Sequence, residues 1–96
     1  MTKIDADVIL LTASWCGGCN QVKKLSDDYR IFFEEFKKNS KTFKVYDIDK
    51  KNGKKIYKSL KLNAVPCFVL NGKKVDFNQW SIGRDAKEMV KLILKK

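Results

Sequence analysis

The sequence predicts an α/β fold in the order βαβαββα, a four-stranded mixed sheet with helices on both faces. Three observations carry this expectation. A short all-apolar run at residues 8–11 hands over to a long apolar stripe of helical spacing. An Asn71-Gly72 dipeptide separates two runs of β-formers, and a second helical stripe closes the chain. The 96 residues, 44% of them hydrophobic and 11% aromatic, suit one domain over residues 1–96 that folds alone and buries about two-thirds of its unfolded surface.

Val8-Ile9-Leu10-Leu11 is too short for a helix and too apolar for a half-exposed strand, so it reads as a central strand buried on both faces. From Val22 the apolar positions Val22, Leu25, Tyr29, Phe32, Phe33 and Phe36 form one stripe. They predict a single long helix that starts at or just after Cys16 and ends before Asn39-Ser40, with its aromatics in the core. Residues 42–49 are dense in β-formers and stop at Lys50-Lys51-Asn52-Gly53, which reads as a turn. Asp47 and Asp49 then read as exposed turn residues, not as a catalytic pair. Ile56, Tyr57, Leu60 and Leu62 mark a short helix. Cys67-Phe68-Val69-Leu70 and Lys74-Val75-Asp76-Phe77 flank Asn71-Gly72, whose residues tolerate the positive φ angles of a tight hairpin. Ala86, Met89, Val90, Ile93 and Leu94 form the last helix, with Asp85 as its cap and Lys95-Lys96 at the negative end of its dipole. Two strands joined by a helix run parallel and a hairpin runs antiparallel, hence a mixed sheet.

The formal charge of +10 comes almost wholly from lysine, since Arg30 and Arg84 are the only arginines. The lysines are scattered over every segment, which is the pattern of a solvated surface. A nucleic-acid interface would supply arginine or stacking aromatics along one stripe. The first residues carry two acids and no apolar run of signal-peptide length, and no stretch is long enough to span a bilayer, so the expected location is the cytoplasm. Three cysteines are too few for a disulfide scaffold. In a reducing compartment a close Cys-x-x-Cys pair points to redox or metal chemistry. Zinc wants four ligands, the chain has no histidine, and Cys67 is the one remaining thiol, so no metal is expected.

Trp15-Cys16-Gly17-Gly18-Cys19 lies where the buried strand hands over to a helix N-terminus. The unpaired N–H groups and the positive dipole end there favour an anion, so the thiolate of Cys16 is stabilised and Cys16 is the expected nucleophile. Cys19, one helical turn on, is close enough to form a disulfide with Cys16 but sits deeper, where burial keeps it protonated. Cys16 attacks a substrate disulfide and Cys19 resolves the mixed disulfide; the only redox group required is the Cys16–Cys19 pair itself. Cys67 reads as a small core residue.

Ala13-Ser14-Trp15-Cys16-Gly17-Gly18-Cys19, Val45-Tyr46-Asp47-Ile48-Asp49, Val65-Pro66 and Ile82-Gly83 together resemble the thioredoxin superfamily over nearly the whole chain. The resemblance implies a thioredoxin-like fold, a thiol-disulfide oxidoreductase and a cis bond before Pro66, the only proline. It further implies a substrate groove lined by Trp15, Gly17, Gly18, Val65, Pro66, Ile82 and Gly83, with Val65 offering backbone hydrogen bonds. The implied partners of this monomer are protein disulfides, ribonucleotide reductase being one candidate, and a recycling flavoprotein thioredoxin reductase. The alternative is a glutathione-dependent glutaredoxin, which the compact length and the step from Pro66 to Gly72 resemble. Gly18 replaces the proline usual in a thioredoxin active site, and Cys67 stands where threonine is usual after the cis-proline. Leu10 and Val45 replace a buried acid and a common buried lysine. Without that acid, deprotonation of Cys19 is expected to rely on water or on a substrate group.

Overall fold

The computed structural model describes residues 6–75 and 85–94. Their elements are β1 (Val8–Thr12), α1 (Gly17–Leu25), α2 (Arg30–Lys38), β2 (Phe43–Asp47), α3 (Lys51–Ser59), β3 (Cys67–Leu70), β4 (Lys73–Val75) and α4 (Ala86–Leu94). The sheet runs β2-β1-β3-β4: β1 pairs parallel with β2 and antiparallel with β3, and the hairpin adds β4. Asn71 and Gly72 take φ angles of 50° and 80°, the positive values for which this dipeptide is suited.

Alternation along β1 builds two cores, one on each face. Val8 and Leu10 join Val22, Phe32, Phe36, Phe43, Phe68, Met89 and Ile93 under α1, α2 and α4. Ile9 and Leu11 join Ile56, Leu62, Cys67 and Val69 under α3. The aromatic core interlocks through Phe32, whose ring meets Phe68 edge-on at 5.5 Å and Phe43 at 5.8 Å. Phe33 departs from the expected core placement: it is 46% exposed, with its ring edge-on to Phe43 at 4.9 Å.

The single long helix expected from Cys16 to residue 38 is two helices. Ser26 breaks it: its buried hydroxyl donates to the Val22 carbonyl at 2.7 Å and accepts from the Tyr29 N–H at 3.2 Å, in competition with the helical ladder. Asp27, Asp28 and Tyr29 then follow with φ of 54°, 55° and 69°. The stripe conceals this break because Val22 before it and Phe32 after it reach the same core.

The expected turn at Lys50–Gly53 is likewise corrected. β2 ends at Asp47, whose carboxylate accepts from the Asp49 N–H at 2.8 Å, and Lys51-Asn52-Gly53 already form the first turn of α3. Gly53 marks a close approach there, since a Cβ at this position would fall on the Asp47 carbonyl. The last helix is capped as expected, the Asp85 carboxylate accepting from the Glu88 N–H at 2.9 Å. Asp76 and Phe77 of the expected fourth strand, Ile82, Gly83 and the terminal Lys95-Lys96 lie outside the described residues.

Candidate active site

The site forms where β1 ends and α1 begins. The Cys16 N–H donates to the Ala13 carbonyl at 3.2 Å, and Cys16 itself takes the extended backbone of an N-cap, with φ −90° and ψ 118°. Its sulphur then occupies the place of a capping oxygen, accepting from the Cys19 N–H at 3.2 Å. The same sulphur donates its proton to the Val65 carbonyl at 3.4 Å. The Cys19 N–H can donate to the sulphur whether or not it carries a proton, whereas the Val65 carbonyl can only accept from the thiol.

Cys19 lives differently. It is 1% exposed, and burial pushes its thiol up to about 11, reinforced by the hydrogen bond to the Cys16 sulphur. The Thr12 hydroxyl and the Ala13 backbone act in the opposite direction. At neutral pH Cys19 therefore holds its proton. The half-buried Cys16 and the buried Cys19 are both free thiols here.

Across from the helix start, the Val65–Pro66 bond is cis. Gly18 lies against this loop, and a Cβ placed on it would stand 3.3 Å from Pro66 Cδ and 3.9 Å from Cys16 Sγ. Gly17 has open space around it. Trp15 is 67% exposed, and its indole N–H donates to the Asp49 carboxylate at 3.0 Å. From the sequence Asp49 is only an exposed turn residue. Nothing local shows the contact, because residues 15 and 49 meet through the parallel register that places Thr12 beside Asp47 at one end of the sheet. Trp15, Cys16, Gly18, Cys19, Val65 and Pro66 thus come together in one place, with Gly17 at its open edge. Cys67, although next to Pro66, points into the aliphatic core with Ile9, Leu11 and Ile56. Leu10 and Val45 pack with the aromatic core and put no ionisable group beneath the cysteines. Among the described residues no group of three or more His, Cys, Asp or Glu could hold a metal, and no helix is long and apolar enough to cross a membrane.

A model of the Thioredoxin family matches residues 2–95. The chain belongs to the thioredoxin family. It is accordingly a thiol-disulfide oxidoreductase, with protein disulfides as its general class of substrate and a reductase as its general class of partner. The fold agrees with solved thioredoxins. The crystal structure of the thioredoxin from Trypanosoma brucei brucei is 21% identical, with a TM-score of 0.59, and the match covers 100% of this chain and 80% of that one. The solution structure of the oxidised thioredoxin from Plasmodium falciparum is 22% identical, with a TM-score of 0.53, over 93% of this chain and 80% of that one. Among curated proteins no sequence matches.

Proposed function

We propose that this thioredoxin reduces protein disulfides through the dithiol of Cys16 and Cys19, Cys16 as nucleophile and Cys19 as resolving thiol. The observation that carries the reading is the asymmetry of the pair: one sulphur caps a helix at the surface, the other is buried and protonated one turn below. The substrate chain lies along Trp15, Gly17, Gly18, Val65 and Pro66. Cys16 thiolate attacks one substrate sulphur, the other leaves as a thiolate, and a mixed disulfide remains on Cys16. Cys19 then attacks Cys16, which closes the Cys16–Cys19 disulfide and frees the second substrate thiol.

A flavoprotein thioredoxin reductase recycles the pair in this reading, and the match to the Thioredoxin family supports it over recycling by glutathione. The two are separated by turnover with a peptide disulfide, once with NADPH and thioredoxin reductase and once with glutathione and glutathione reductase. Turnover in the first system is expected. Turnover that requires glutathione would replace the reading with a glutaredoxin.

A further inference from the structure

Lysine is spread along the whole chain, but acid is not. Residues 1–49 carry eight basic and eight acidic side chains and balance. Residues 50–75 carry eight lysines and no acid, so this one segment holds most of the formal charge of +10. Lys50, Lys51, Lys54, Lys55, Lys58 and Lys61 lie on or beside α3, the helix over the Ile9 and Leu11 face of the sheet, and all are exposed. Among the described residues the ion pairs lie on the other face, where Arg30 meets Asp27 and Glu34, and Lys38 meets Glu35.

These charges oppose the helix that carries them. Lys50 is the N-cap residue and Lys51 opens a first turn that has no acid, so both meet the positive end of the dipole. Lys50 with Lys54, Lys51 with Lys55, and Lys54 with Lys58 are like charges at i,i+4, an arrangement that weakens a helix. Lys61 takes a left-handed φ of 54° just past the helix end, where glycine is the unstrained choice. Local choices that disfavour their own element are expected where a surface serves a function. Both ends of the face open on the site. At one end Asp49, next to Lys50, accepts from the Trp15 indole at 3.0 Å. Beyond the other the chain runs from Lys61 to Val65, whose carbonyl accepts from Cys16 at 3.4 Å. A helix of 9 residues is about 14 Å long, which about four extended residues span. A substrate chain with its disulfide at Cys16 can therefore lay its neighbouring residues along the lysines.

We propose that the lysine face of α3 selects protein disulfides flanked by acidic residues. This rests on the reading of Cys16 and Cys19 as the reacting dithiol. Substrate carboxylates relieve the repulsion that the free protein carries on α3. The composition of the face favours an acidic protein over a nucleic acid, because it holds neither arginine nor an exposed large aromatic, the residues that read and stack bases. Arg30 is engaged by two carboxylates beside α2, and the exposed large apolar side chains among the described residues are Trp15, in the site itself, and Phe33, on α2. Lysine supplies compact charges on flexible stems, which suit an acidic chain of varied sequence.

The test is single-turnover reduction of three peptides by the pre-reduced protein at low salt. The peptides share one disulfide and differ in their flanking residues, all glutamate, all glutamine or all lysine. Below saturation the glutamate peptide is expected to react at least about tenfold faster than the lysine peptide, within the range of electrostatic steering, and the gap closes as salt rises. Combined Lys54→Gln, Lys55→Gln and Lys58→Gln should bring the two rates to within about threefold of each other. This variant is expected to unfold no earlier than the wild type, because it loses like-charge pairs. Combined Lys37→Gln, Lys87→Gln and Lys91→Gln, an equal change of charge on α2 and α4, should keep the wild-type ratio. Equal rates on the glutamate and lysine peptides in the wild type overturn the proposal. An equal loss of preference in the two triple variants also overturns it, since net charge would then be the cause. Tighter binding of a single-stranded oligonucleotide than of a glutamate peptide of the same charge overturns it as well and gives the face to nucleic acid. Failure of the wild type to reduce any of the three peptides would instead overturn the assignment of Cys16 and Cys19 on which the proposal rests.

Discussion

Two thiols of this chain are almost fully buried, and their surroundings differ. Cys19 is 1% exposed, and its backbone N–H donates to the Cys16 sulphur at 3.2 Å. Cys67 is 5% exposed, packs among Ile9, Leu11, Ile56, Leu62 and Val69, and gives its proton to the Phe68 carbonyl at 3.7 Å. Burial pushes the Cys19 thiol up, so burial by itself does not make a thiol reactive. What separates a reacting thiol from a packing one is the presence of a second sulphur to attack and of groups that stabilise or remove the proton's charge. The first exists only on the Cys19 side.

The comparison breaks most sharply if the two sites are exchanged. Cys19→Ala is expected to stop multiple turnover altogether. Cys67→Ala is expected to keep the wild-type rate within about twofold while costing about 1–2 kcal/mol for the small void it leaves. Turnover assays beside denaturant unfolding check both, and a Cys67→Ala protein that folds but does not turn over would place Cys67 in the mechanism.

A second test puts a proton acceptor where the sequence lacks one. Leu10→Asp buries a carboxyl in the aromatic core and is expected to destabilise by about 2–4 kcal/mol. The folded-state carboxyl titrates above its unfolded value, so the loss is small at acid pH and grows as pH rises above about 4. Release of the mixed disulfide near neutral pH should become faster, since the new carboxyl can take the Cys19 proton. Unfolding curves across pH and the rate of mixed-disulfide release measure these effects.

The raised thiol of Cys19 supplies a third test. Its folded value of about 11 lies above the ordinary 9.0, so its contribution to stability is complete below about pH 9 and is lost as pH rises toward 11. The alkaline fall in stability should be less steep in Cys19→Ala than in the wild type. Equal slopes would show that Cys19 titrates as an exposed thiol does. The smallest expected effect is that of Asp49→Ala, which removes the exposed indole bond of Trp15 and should cost less than about 1 kcal/mol with turnover little changed, as thermal unfolding and the coupled assay would show.

What was legible in the sequence followed from local rules. The buried run of β1, the Asn71-Gly72 hairpin, the Asp85 cap and the Cys16 helix start each depend on residues within a few positions of one another. The misses have a common cause. Ser26 breaks a helix whose apolar stripe continues in phase on the far side, so periodicity alone reports one helix. Gly53 looks like a turn glycine but serves a close contact with Asp47, which is visible only once α3 is laid on the end of β2. The bond from Trp15 to Asp49 needs the sheet register and cannot be read from spacing. A triplet of Ser26-Asp27-Asp28 inside a helical stripe was the available signal for the break, since these residues compete for backbone hydrogen bonds.

The central claim is the division of labour between Cys16 and Cys19, and trapping tests it most directly. Cys19→Ser is incubated with a peptide disulfide and the product is mapped by mass spectrometry. The account predicts one peptide joined to Cys16 in a stable mixed disulfide, and no adduct on Cys19 in Cys16→Ser at neutral pH. An adduct on Cys19 in Cys16→Ser, with none on Cys16 in Cys19→Ser, would contradict it.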